Sequence, residues 1–120
     1  MAEEYLLGSA PGGTFIDIKR AVIDHASTGD NTLVAAVTGK KIRVHALFFV
    51  VAAAVVVRFE SGASGTALTG QMTIPAEQPT LVLPYNPLGW FETAAGALLN
   101  LELGGNVSVD GALVYQEVNG

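Results

Sequence analysis

Polar and apolar residues alternate along much of this chain with a period of two. Lys41, Arg43 and His45 fall on one side of such a run, and Ile42, Val44 and Ala46 on the other. That alternation marks a strand with one face in the core. From Leu47 to Val51 the run becomes apolar on both sides. The change predicts a strand entering a fully covered region, either a sandwich core or a subunit interface. Ala52-Ala53-Ala54 then reads as a reversal into a second strand, Val55 to Glu60. There Val55, Val57 and Phe59 share one face, and Val56, Arg58 and Glu60 the other.

Similar signals recur on either side of this pair. Thr14 to Ile18 and Arg20 to Asp24 read as strand, followed by a turn or loop at Ser27-Thr28-Gly29-Asp30-Asn31. Thr32 to Val37 is the next strand and Thr38-Gly39-Lys40 the next turn. Ser61-Gly62-Ala63-Ser64-Gly65 is a loop. Thr66 to Ile74 is a weaker strand interrupted by Gly70. Pro75 to Pro79 connects it to a short strand, Thr80 to Leu83, which Pro84 stops. Tyr85-Asn86-Pro87-Leu88-Gly89 is a turn, leading into the aromatic segment Trp90-Phe91-Glu92. Thr93-Ala94-Ala95-Gly96 reads either as a helical turn or as a tight loop, and over residues 93–103 a helix competes with a strand. The period of two, with Leu99, Leu101 and Leu103 against Leu98, Asn100 and Glu102, favours the strand. Asn106 to Val118 is the last strand, with Gly111 expected at a bulge. Turns about ten residues apart predict an all-β fold: a single antiparallel β-sandwich, jelly-roll-like, over residues 14–120.

Residues 1–13 read differently, as an extended N-terminal arm and linker. Gly8-Ser9-Ala10-Pro11-Gly12-Gly13 breaks regular structure. Before it stands an apolar plug, Tyr5-Leu6-Leu7. Such a plug is either a frayed terminus or a docking element for a neighbouring subunit or partner.

Composition narrows the function classes. Half of the 120 residues are hydrophobic, and only 14% are charged, against about 25% in an average protein. The apolar content argues against disorder. Absence of cysteine removes disulfide scaffolds, cysteine-ligated zinc and thiol catalysis. A net charge of −5, with basic clusters only at Lys19-Arg20 and Lys40 to Arg43, argues against nucleic acid, which is held through phosphate neutralisation. Met1-Ala2-Glu3-Glu4 is acidic where a secretory signal is basic. The most apolar run, Ala46 to Val57, falls short of the ~20 residues of a membrane helix. The expectation is a chain made in the cytoplasm, with no membrane partner. Few charges on a strongly apolar chain favour an oligomer or a protein docked on a larger body.

Candidate chemistry is sparse. Asp24, His25 and Ser27 contain the residue types of a triad, but near neighbours in a strand-to-turn segment seldom converge. His25 and His45 have no carboxylate at a recognisable metal spacing. Asp30-Asn31 lacks the surrounding oxygen series of a calcium loop. There is no phosphate loop and no nucleophile elbow. Glu60, Glu92 and Glu102 would have to pair across strands for glycosidase chemistry, and nothing in the sequence places two of them together. Tyr85, Trp90 and Phe91 form the one aromatic concentration, suited to core, interface or sugar stacking. The expectation is a non-enzyme without metal or cofactor. Phe48, Phe49, Trp90 and Phe91 are assigned to core or intersubunit packing.

Two blocks carry a family resemblance. Asn31-Thr32-Leu33-Val34-Ala35-Ala36-Val37-Thr38-Gly39-Lys40-Lys41-Ile42-Arg43-Val44 is one. The other is Leu81-Val82-Leu83-Pro84-Tyr85-Asn86-Pro87-Leu88-Gly89-Trp90-Phe91-Glu92-Thr93, continuing through Leu101. Together they resemble small β-sandwich structural proteins of tailed-bacteriophage virions, over residues 31 to 118. The resemblance implies a head decoration, or cement, protein on the capsid surface. Such a protein binds the assembled shell of the major capsid protein and stabilises it by bridging capsomers. It implies a homo-oligomer, with a trimer favoured and a dimer possible. Its arm, through Tyr5, Leu6 and Leu7, would contact the shell or an adjacent subunit. Head-fibre and tail-fibre components are the alternative, and a carbohydrate-binding module a more distant one.

Overall fold

A computed structural model describes residues 17–120, and every regular element in them is a strand. The strands are β1 (Ile18–His25), β2 (Gly29–Val34), β3 (Lys40–Val51), β4 (Val55–Ser61) and β5 (Thr66–Ala67). They continue with β6 (Met72–Ile74), β7 (Thr80–Leu83), β8 (Phe91–Glu92), β9 (Leu99–Leu103) and β10 (Val109–Asn119). One sheet runs β1-β10-β3-β7, with β8 also on β3. The other runs β2-β9-β4-β5, with β6 also on β4. All the pairings are antiparallel.

The split elements are single strands with an excursion. β7 and β8 pair with successive parts of β3, and β5 and β6 with successive parts of β4. Merging each pair leaves eight strands in the orders 1-8-3-6 and 2-7-4-5. This is the jelly-roll arrangement of two Greek keys, so the expected sandwich is present. Tyr5, Leu6 and Leu7 of the arm, and the start of the Thr14–Ile18 segment, lie outside the described residues.

Alternation drives the packing. Ile42, Val44, Leu47, Phe49 and Val51 of β3 turn inward, as do Val55, Val57 and Phe59 of β4 and Leu99, Leu101 and Leu103 of β9; all are buried. Their β-branched and aromatic side chains suit a pleated, half-buried surface. Phe59 and Phe91 close one part of the core from opposite sheets, ring centroids 5.0 Å apart. Residues 93–98, where a helix competed, are not helical, and the strand begins at Leu99.

Two phase shifts correct the sequence expectations. Val44 opposes Tyr115 and Ala46 opposes Val114, so His45 is the extra residue of a β-bulge. Even-numbered residues face inward before it and odd-numbered ones after it. Ala46 therefore faces out, not in with Ile42 and Val44, while His45 is 1% exposed. Gly111 is not the bulge: the register passes through it unbroken, opposite Ile23 and Phe49. A Cβ there would lie 1.9 Å from the Phe48 carbonyl oxygen, so glycine answers a close strand approach. In β2, Leu33 is a second inserted residue, and pairing ends at Val34, earlier than the expected Val37.

Candidate functional site

Two constellations stand out on this scaffold, one polar and one apolar. The polar one lies on the outer face of the second sheet. Strand register sets Asp30, Glu102 and Arg58 in one cross-strand row, and Thr32, Asn100 and Glu60 in the next. Glu60 and Asn100 have no exposed surface although their faces point away from the core.

Asn100 is the hub. Its Nδ2 donates to Asp30 Oδ1 at 2.8 Å and to Glu60 Oε1 at 2.9 Å, while its Oδ1 accepts from the Asn31 backbone N–H at 2.8 Å. Arg58 donates from Nε to Glu60 Oε2 at 2.8 Å and also from Nη2. Asp30 fastens the Ser61–Gly65 loop through the Ser64 backbone N–H (3.0 Å) and Oγ (2.9 Å). Ser64 adopts a φ of 49° there, a left-handed conformation uncommon for a side chain other than Gly, Asn or Asp.

Charge follows this geometry. The hydrogen bonds from Ser64, then from Asn100, hold the Asp30 carboxyl below the ordinary carboxylate value. Desolvation raises Glu102, helped by its hydrogen bond with Asp30 and by the nearby Glu60 charge. Asp30, Glu60 and Glu102 offer oxygens within 4.8 Å of one another, the one such group among the described residues. The Asp30 and Glu60 oxygens already serve Asn100, Ser64 and Arg58. The cluster locks a loop onto a sheet, with Glu60 closed to solvent. The sequence placed no two of these carboxylates together; the structure joins Glu60 and Glu102. Glu92 lies in the other sheet, accepting from Arg43 at 2.8 Å and Lys41 at 3.4 Å, and the Arg43 hydrogen bond lowers its carboxyl.

His45 uses both ring nitrogens. Nδ1 lies 2.8 Å from the Asn86 carbonyl and Nε2 2.8 Å from Gln116 Oε1, and the ring stacks on Tyr85. In return the Asn86 N–H donates to the His45 carbonyl. The histidine thus anchors the Pro84–Trp90 excursion where the bulge interrupts pairing. Asp24 and His25 are successive strand residues whose side chains leave opposite faces, so no triad forms.

The apolar constellation covers the outer face of the first sheet. Val22 pairs with Ala112, Ala112 with Phe48, and Phe48 with Val82, so all four lie in one row across the sheet. Val22 is 74% exposed, Phe48 54% and Val82 66%, and Val50 beside them 48%. Of these, Phe48, Ala112 and Val82 line, with Arg20, Ala46 and Val114, a shallow groove of about 300 Å³. Singly exposed apolar residues are ordinary; a contiguous row of this kind is what interaction surfaces are commonly built from.

The residues assigned to packing divide. Phe49 is in the core and Phe91 packs against it. Phe48 is not core. It lies in the exposed row because its even position follows the His45 bulge. Trp90 is 43% exposed, its indole N–H donating to the Pro84 carbonyl at 2.8 Å. Val22 and Val82 were missed. Only strand register brings them beside Phe48.

No protein-family model matches the chain, and no curated protein or solved structure matches it.

Proposed function

We propose that this protein is a non-enzymatic decoration protein of a tailed-phage capsid. In this reading it binds the assembled shell and stabilises it by bridging capsomers. The observation that carries the reading is the uncovered apolar row Val22–Ala112–Phe48–Val82 on a β-sandwich with little charge. A chain built for assembly exposes such a surface, and water is a poor permanent partner for it. The sheet face serves contacts between subunits. The arm residues Tyr5, Leu6 and Leu7 serve contact with the shell. The resemblance of the 31–44 and 81–101 blocks to virion sandwich proteins points the same way.

The test is co-sedimentation with expanded shells of the major capsid protein. The full-length protein is expected to saturate the shells and raise their melting temperature, and a chain lacking residues 1–13 to stay in the supernatant. A full-length protein that is monomeric and ignores shells overturns the proposal. Density on fibres or tails in labelled virions would move it to a fibre component.

A further inference from the structure

The outer face of the first sheet carries a pattern that selects its occupant. Three rows cross it. Arg20, Val114 and Ala46 form the first, and Val22, Ala112, Phe48 and Val82 the second. Asp24, Asp110, Val50 and Thr80 form the third. Along β1 the outward residues therefore read Arg20, Val22, Asp24: cation, apolar, anion. Read in the reverse direction, the same strand is its own complement.

The charged ends are unanswered among the described residues. Asp24 and Asp110 stand directly opposite each other on paired strands, an arrangement that destabilises a sheet when both are ionised. Neither aspartate, nor Arg20, forms an ion pair or hydrogen bond among the described residues. Arg20 cannot relieve its own aspartates. Four residues along an extended strand put it about 13 Å away.

We propose that this face binds a second copy of the chain across a two-fold axis lying along the Val22–Val82 row. Turning one sheet over about that axis keeps β1 above β1 and reverses its direction. Arg20 of each protomer then lies over Asp24 of the other, one strand away from Asp110, while the apolar rows meet in the middle. Such an interface is isologous and closed, so it yields dimers and not filaments. The inference rests on the reading of this face as an assembly surface, but not on capsid binding, and it favours two-fold over three-fold pairing. Four strands about 4.8 Å apart and three rows about 6.7 Å apart offer roughly 300 Å² a side, below the ~800 Å² of a standard interface. The dimer is accordingly concentration-dependent and weakened by salt.

Analytical ultracentrifugation of the full-length protein, without shells, tests this, with circular dichroism and melting used to retain only folded variants. A monomer–dimer equilibrium is expected. Phe48→Asp, placed at a site already exposed, should weaken it by about a hundredfold, and Arg20→Glu or Asp24→Arg alone by about tenfold each. The double variant Arg20→Glu/Asp24→Arg restores opposite charges across the axis and should return the affinity to within about threefold of the native chain. A monomer at all concentrations, a trimer, or a double variant no better than either single one overturns the proposal. So does association that vanishes without residues 1–13 yet is indifferent to Arg20 and Asp24, since the arm would then be the occupant. Failure to bind shells, with the charge-swapped dimer intact, would count against the decoration reading alone.

Discussion

Asn100 shows how much one side chain can hold. In the chain it is merely one of two polar members, with Glu102, of an alternating leucine strand. In the fold its amide joins three partners, on β2 and β4 and in the backbone of Asn31. Replacing it with leucine keeps the volume class but leaves the Asn31 N–H and a Glu60 oxygen without their partner in a buried place. Each such orphan costs about 1–3 kcal/mol, so Asn100→Leu should lose roughly 2–4 kcal/mol in urea unfolding. A loss below about 0.5 kcal/mol would show that solvent or Arg58 replaces the amide freely. Periodicity told which way Asn100 points, because a strand has only two faces. It could not tell that the outer face is roofed there, since Ser64 reaches Asp30 across a gap of 34 residues. For the same reason the Asp30–Glu60–Glu102 grouping was hidden, although every member could be named.

At the scale of elements, the strands were legible and their phases were not. Val55 to Glu60 and Leu99 to Leu103 follow the alternation, but they pair with each other, and the reversal at 52–54 carries the chain from one sheet to the other instead of closing a hairpin. Lys40–Val51 does not follow the alternation, because one inserted residue exchanges its faces at His45. The sequence shows that insertion only as a run apolar on both sides, which also describes a covered strand. Here both descriptions hold: Leu47, Phe49 and Val51 line the core, while Phe48 and Val50 form the exposed apolar face. Gly111 lies at the crossing of this strand with β10. It is the residue on β10 that pairs with Phe49, and any Cβ would strike the Phe48 carbonyl. Gly111→Ala must push β3 and β10 apart and should cost about 2–3 kcal/mol, the upper range for overpacking. Gly105→Ala, where a Cβ meets nothing within 4 Å, should stay within about 0.5 kcal/mol. Equal effects in chemical unfolding would mean that the close approach relaxes at no cost.

The whole molecule has few charges, so the shifted ones dominate its response to pH. Asp30 and Glu92 are held below their ordinary values of 3.8 and 4.5 by hydrogen bonds made only in the folded state. Their stabilisation is present above those values and is lost as pH falls through the lower folded ones. Glu102 works in the opposite sense. Its carboxyl is raised above 4.5, so the folded state binds that proton more tightly than the unfolded chain does. The resulting stabilisation is full below 4.5 and disappears as pH rises through the folded value. Desolvation and the facing Asp30 and Glu60 carboxylates thus disfavour the ionised form of Glu102. Glu102→Gln supplies a permanent amide donor to Asp30 at every pH. Its melting temperature should exceed that of the native chain at pH ~7, and the gap should close on acidification to pH ~4 as Glu102 gains its own proton. Below that, both proteins should fall together as Asp30 and Glu92 protonate. Thermal melts of the two chains across this range decide the matter. A gap independent of pH would assign the effect to packing, and a gap that widens in acid would reverse the sign of the Glu102 shift.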